Sequence, residues 1–132
     1  MSDTLQPGLV GTASVQVSPA NTAQALGSGT VPVFATPALV ALLEQAAVNA
    51  LASALPSGST SVGTRVDIRH TAATPVGMTV TATARLVEVA GRALCFDVSA
   101  RDDVESVAEG VHERVVVDEQ RFMARVEGKR AG

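Results

Sequence analysis

Tryptophan and tyrosine are absent from this chain, and phenylalanine occurs only three times. The 132 residues suffice for a buried core, so that core has to be built from Val, Leu and Ala. Cysteine is almost absent. Cys95 stands alone, which excludes an intramolecular disulfide and suits a reducing, cytoplasmic compartment. Two histidines and one cysteine are too few for a His/Cys zinc site, so no metal is expected. An excess of positive charge is also missing. The net charge is -3 and the pI about 5.3, which argues against electrostatic binding of nucleic acid. Long apolar runs are lacking too. The best candidate, Ala38 to Leu55, contains Glu44, Gln45 and Asn49 and lies between Pro37 and Pro56. It reads as a helix of a soluble protein and not as a membrane span. The opening stretch MSDTLQPGLVG has neither a basic region nor an apolar run, so no signal peptide is expected. There is no P-loop and no G-x-S-x-G, and GLVGTAS is no dinucleotide fingerprint because no helix follows it.

The composition is that of one folded domain, residues 1–132. Residues 9–17 alternate loosely and suit a first strand. Residues 18–35 are rich in Ser, Pro, Gly and Asn and read as a long loop, a length that points to function. Thr36 suits a helix N-cap, Pro37 the first helical position, and Pro56 ends the run. The helix expected over roughly 37–54 is apolar nearly all round, so it should be buried. Beyond a Gly/Ser loop the pattern changes to period two. Val62, Thr64, Val66, Ile68 and His70 share one face, with Gly63, Arg65, Asp67 and Arg69 on the other. Further strands are expected over 78–89, 92–101 and about 106–118, with turns at TPVG, AG and DDVE. The tail after Phe122 reads as polar and loose. Strands in succession joined by short turns pair antiparallel, and one helix must cover the sheet's apolar face. The expected fold is therefore α+β, a curved antiparallel sheet wrapped around one long helix, which is the hot-dog arrangement.

Three polar groups stand out against this apolar background. Gln45, Asn49 and Ser53 form one polar stripe on the helix, but Glu44 lies about 140° from it, among Val40, Leu43, Ala47, Val48 and Leu51. A carboxylate there is either partnered in a pocket or reaches solvent along an uncovered side of the helix. His70 falls on the helix-facing side of its strand, at the strand end. It is either a neutral histidine satisfied by a backbone carbonyl or a proton carrier at a site. Thr36 has a complete account as an N-cap. Its hydroxyl would also sit at the positive end of a helix, where a developing oxyanion is favoured. Thr36 and Glu44 are about 12 Å apart along the helix axis, so direct contact is not expected. Cys95 faces outward with no histidine nearby, which argues against a nucleophile. His112, flanked by Glu113 and Arg114 in EGVHERVVV, reads as a strand residue in a charged network, with Arg114 able to bind an anion. A carboxylate and a histidine without metal or cofactor suit hydrolysis or proton transfer.

The blocks FATPALVALLEQAA, RHTAATPVGMTVTATARL and EGVHERVVVDEQRF resemble the fluoroacetyl-CoA thioesterase-like family of hot-dog proteins, over about Val33 to Phe122. The resemblance implies a catalytic set of Thr36, Glu44 and His70, a glycine near the thioester carbonyl at Gly63, and a substrate-site arginine at Arg114. It also implies hydrolysis of an acyl-CoA thioester without a cofactor, by a homodimer, or a tetramer built from it, with sites at the subunit interface. Fluoroacetyl-selective members carry lid phenylalanines in the loop before the helix. Here ALGSGTVPVFAT has none before Phe34, which favours another short or medium acyl group. Two rival functions remain open from sequence. An acyl-CoA hydratase or dehydratase would need an Asp beside His70, and Asp67 is expected on the opposite face. A non-catalytic acyl-CoA binding or sensing module would bind thioester without turnover.

Overall fold

The computed structural model describes residues 4–132. The first three residues of the stretch inspected for a leader lie outside them. The chain forms strand β1 (Val10–Gln16), a 3-10 turn (Pro19–Asn21), a single helical turn α1 (Ala23–Leu26) and the main helix α2 (Thr36–Leu51). Strands β2 (Ser59–His70), β3 (Thr79–Ala90), β4 (Ala93–Arg101) and β5 (Ser106–Asp118) follow, then helix α3 (Glu119–Gly128). One antiparallel sheet has the order β1-β3-β4-β5-β2. The α+β hot-dog expectation holds, with corrections to its details.

The first correction is topological. Residues 71–78 do not close a hairpin between β2 and β3. They carry the chain across the sheet, so that β2 pairs with β5, from Ser59 opposite Asp118 to His70 opposite Ala108. Only β3, β4 and β5 follow in meander order. The β3–β4 turn is the two-residue Gly91–Arg92 connection, with Gly91 at φ 63°, the left-handed conformation a tight hairpin needs. The second correction is that the residues after Phe122 are helical. Asp118 caps α3 by accepting from Arg121 N–H.

The sheet face toward α2 carries the alternating residues Val80, Ala82, Ala84 and Leu86 of β3 and Leu94, Phe96, Val98 and Ala100 of β4, all buried. On α2 the buried positions are Leu39, Leu42, Leu43, Ala46, Ala47, Ala50 and Leu51, one stripe at helical spacing. The helix is thus covered on one side, not all round: Val48 is 42% exposed, and Val40 and Glu44 are half-buried. It packs mainly on β1 and β3, leaving the inner face of β2 partly bare, with Val66 36% exposed.

The helix comes so close to β1 that a Cβ on Gly11 would collide with the backbone of Ala46 and Ala50. Those atoms belong to a rigid helix interior and cannot step aside. Gly11→Ala is expected to lower stability by about 2 kcal/mol or more, as overpacking does, seen as a fall in melting temperature of several degrees by calorimetry.

Candidate active site

The path of the chain into α2 is set by the segment after β2. Phe34 N–H donates to Thr74 O at 2.9 Å, and Val33 bridges to Pro75. Thr71 N–H donates to Val107 O at 2.8 Å, which holds the end of β2 against β5. These bonds lay the start of α2 beside the end of β2. As a result Thr36 Oγ1 lies 2.8 Å from His70 Nδ1. Thr36 is therefore not the N-cap. Ala35 takes that position without a side-chain hydrogen bond, and the threonine, first residue of the helix, uses its hydroxyl on the histidine. His70 Nε2 is buried and has no hydrogen-bond partner among the described residues. Burial lowers the His70 pKa from its ordinary 6.5, against an opposing backbone hydrogen bond at Ala72. An open cavity of about 260 Å³ borders the pair, lined by Phe34 and by smaller side chains among which are Ala23, Ser28, Val33 and Ala72.

A second polar cluster lies farther along the helix. Glu44 Oε2 is 3.7 Å from Arg114 Nη1, with the arginine side chain 7% exposed and the glutamate 39%. Arg114 donates through Nε to Ser61 Oγ at 2.8 Å and through Nη2 to Ser61 O at 3.0 Å. Burial lowers the Arg114 pKa, and the Glu44 carboxylate opposes that. Glu44 thus has both of the environments left open by its helix position: an ionic partner and access to solvent.

Gly63 joins this cluster because β2 is irregular. The register slips between Gly63 and Arg65, so Thr64 is the extra residue of a bulge. Before the bulge, Gly63 sits opposite Arg114, and after it Val66 sits opposite His112. Strict alternation had put Gly63 on the outer face with Arg65. The bulge turns it inward, and a Cβ there would stand 2.6 Å from Glu44 Oε2. Arg65, Asp67 and Arg69 do face outward. Arg65 is tied to Asp67 at 3.0 Å and to Glu113 at 3.1 Å, so Asp67 is no partner for His70.

Among the described residues, then, the five candidates form two groups in one chain: Thr36 with His70, and Glu44 with Arg114 and Gly63. No hydrogen bond or ion pair joins the groups. A recess of about 610 Å³ lies on the outer sheet face between Asp67, Arg69, Asp97 and Glu109. It is formed by outward-facing strand residues and contains none of the five. Two residues were undervalued by sequence reasoning. Thr74 is wholly buried and clamps the entry to α2. His112 is wholly buried and bonds Arg114 through Nε2 at 3.1 Å. The signal for His112 was its place in the alternation of β5, two residues before Arg114.

The His70 shift has a measurable consequence. A pKa below 6.5 in the fold means that the unfolded chain takes up the proton first as the pH falls. The contribution of His70 to stability is complete above pH 6.5 and is lost as the pH falls through the folded pKa. NMR titration of the imidazole is expected to give a midpoint below 6.5. A midpoint above 6.5 contradicts this.

Comparison with known proteins agrees with the fold. A family model described as fluoroacetyl-CoA-specific thioesterase matches residues 17–120. A fluoroacetyl-CoA thioesterase from Streptantibioticus cattleyicolor is 48% identical over 97 residues, 74% of this chain and 70% of that protein. A solved structure of the fluoroacetyl-CoA thioesterase FlK superposes with a TM-score of 0.88 at 40% identity, covering 95% of this chain and 97% of that one. A hot-dog-like protein from Thermanaerovibrio acidaminovorans gives a TM-score of 0.88 at 28% identity, over 98% of this chain and 96% of that one. With the family match running from the end of β1 into α3, this chain belongs to the fluoroacetyl-CoA-specific thioesterase family.

Proposed function

We propose that this protein hydrolyses the thioester of a short or medium acyl-CoA, releasing free acid and CoA, with Thr36, Glu44 and His70 as its catalytic residues. The enzyme is a thioester hydrolase of its family. The observation that carries the residue assignment is the pairing of Thr36 with His70 at 2.8 Å, which leaves the histidine's other nitrogen without a partner among the described residues. Glu44 supplies negative charge at the reacting carbonyl, as nucleophile or as base for water. His70 takes up the proton that the attacking water loses and hands it to the departing CoA sulfur as the C–S bond breaks. Thr36 orients the imidazole. The Gly63 N–H is the donor assigned to the carbonyl oxygen, and Arg114 holds Glu44 and binds substrate. No step calls for a cofactor. The loop before Phe34 holds no phenylalanine, which favours acyl groups that need no aromatic lid from that loop. A related FlK enzyme has been solved with acetyl-CoA as a threonine-to-serine mutant, at a TM-score of 0.87 and 40% identity over 95% of this chain and 98% of that one.

The working unit is proposed to be a homodimer paired through β2. That strand has 12 residues and forms one edge of the sheet, an open ladder of a kind that proteins pair or cover. Antiparallel pairing about a two-fold axis near Val66 lays the His70 end of one strand beside the Gly63 stretch of the partner. It also covers the bare inner face of β2 and the exposed side of α2. The two polar groups separated within one chain then meet across the interface. A single domain over 1–132 accounts for this unit.

Thiol release from a panel of acyl-CoAs is expected for the wild type, and Glu44→Gln and His70→Ala are each expected to lower kcat/KM about a hundredfold or more with the fold intact. Tight thioester binding without turnover by the wild type would replace this reading with that of a sensing module. Light scattering is expected to give twice the 13.4 kDa chain mass. A monomer at assay concentration would refute the shared site.

A further inference from the structure

We propose that His112 is a positioning residue that holds the Arg114 guanidinium against Glu44. The proposal rests on the reading of Glu44 and Arg114 as site groups. His112 lies on β5, is wholly buried, and stacks on Phe96 with ring centroids 6.1 Å apart. Its Nδ1 is 2.8 Å from Arg65 O. A carbonyl oxygen only accepts, so Nδ1 carries the hydrogen, and in a neutral ring the lone pair is then on Nε2. On that side stands Arg114 Nη1, at 3.1 Å, and a guanidinium only donates. The two contacts demand the same tautomer. A protonated ring would set two cationic N–H groups against each other.

The carbonyl that fixes this tautomer belongs to the bulge. Arg65 follows the extra residue Thr64, and its oxygen receives the His112 side chain. His112 Cε1 would stand 3.3 Å from a Cβ on Gly63. One imidazole therefore packs against the backbone segment that turns Gly63 inward and at the same time anchors the arginine. Arg114 is bonded at all three nitrogens: Nε and Nη2 to Ser61, and Nη1 to His112. What remains at Nη1 is directed to Glu44 at 3.7 Å. Without His112 the Nη1 end is held by the half-exposed carboxylate alone.

The test uses the full chain and the acyl-CoA that the wild type turns over best. His112→Asn keeps a donor near the Nδ1 position but is too short to reach Arg114. His112→Gln spaces an N–H and a C=O as the two ring nitrogens are spaced. His112→Asn is expected to lower kcat/KM about tenfold to a hundredfold, as loss of a buried bond to a charged group does, and His112→Gln to restore it to within about threefold of wild type. In an Arg114→Met background, His112→Asn is expected to cause no further loss. Equal losses in both backgrounds, wild-type kinetics in His112→Asn, or a Gln variant as poor as Asn would each overturn the proposal. Nitrogen-15 NMR of the wild type needs no variant to fold: it should find His112 protonated on Nδ1 and bare on Nε2, and the opposite tautomer overturns the proposal. Absence of thiol release by the wild type would refute the thioesterase reading instead, and the tautomer would still decide whether His112 holds Arg114.

Discussion

The contact on which the site depends is made by a threonine with no catalytic assignment. Thr74 is wholly buried and donates through Oγ1 to Asp102 Oδ2 at 2.8 Å, while its backbone oxygen accepts from Phe34 N–H. Asp102 in turn accepts from the backbone N–H groups of Val104 and Glu105, at 2.8 and 2.9 Å, and so shapes the β4–β5 turn. Burial would raise the Asp102 pKa, but the hydrogen bonds from Glu105, Val104 and Thr74, with the charge of Arg101, hold it below the usual value. A buried carboxylate that accepts three bonds is a firm anchor. Three distant pieces of chain meet at this point: the approach to α2, the crossover after β2 and the β4–β5 turn. The Thr36–His70 contact follows from their meeting.

Farther along the helix the physics is that of a charge taken out of water. Arg114 is almost completely buried, and an unpartnered buried charge costs several kcal/mol, about 3–5 when a pair is broken. The cost is met locally by Ser61, His112 and Glu44, all within reach because the bulge in β2 displaces its backbone relative to β5. Bulges occur where a sheet needs to re-aim a residue. Here the residue is a glycine, and the space above it is taken by the Glu44 carboxylate. A side chain at that position would compete with the carboxylate for the same volume. Glycine at 63 is thus explained by the room it leaves, not by its backbone angles.

The core itself is plain. With Phe34 and Phe96 as its only buried aromatics, it is made of Leu, Val and Ala, and the alanines of α2 let the helix descend onto β1 at Gly11. Small residues on facing surfaces bring backbones together and leave little slack. That tight seam lies along β1 and β3, whereas the β2 side of the helix stays open.

Much of this could be read from residues in order. Alternation in Thr79–Ala90, Ala93–Arg101 and Ser106–Asp118 identified three strands and their buried faces, because a period of two leaves a strand little choice once one face is apolar. The Pro37 to Leu51 run announced the helix, and the family resemblance pointed to the five site positions. What the chain order could not convey were facts about neighbours distant in sequence. The pairing of β2 with β5 depends on a crossover whose turn residues look like those of a hairpin. The inward face of Gly63 depends on one extra residue, and a single slip reverses every assignment before it. Thr36 has the right side chain for a cap, yet its hydroxyl goes to a histidine 34 positions away. His112 seemed a strand residue among charges. Its meaning came from Arg65 O, 47 positions distant, which settles where the imidazole proton sits and hence what Arg114 can do. Local periodicity decides which face a residue shares with its neighbours in the chain. Only the packed structure decides which donor meets which acceptor, because each such bond joins groups whose positions are set by separate elements.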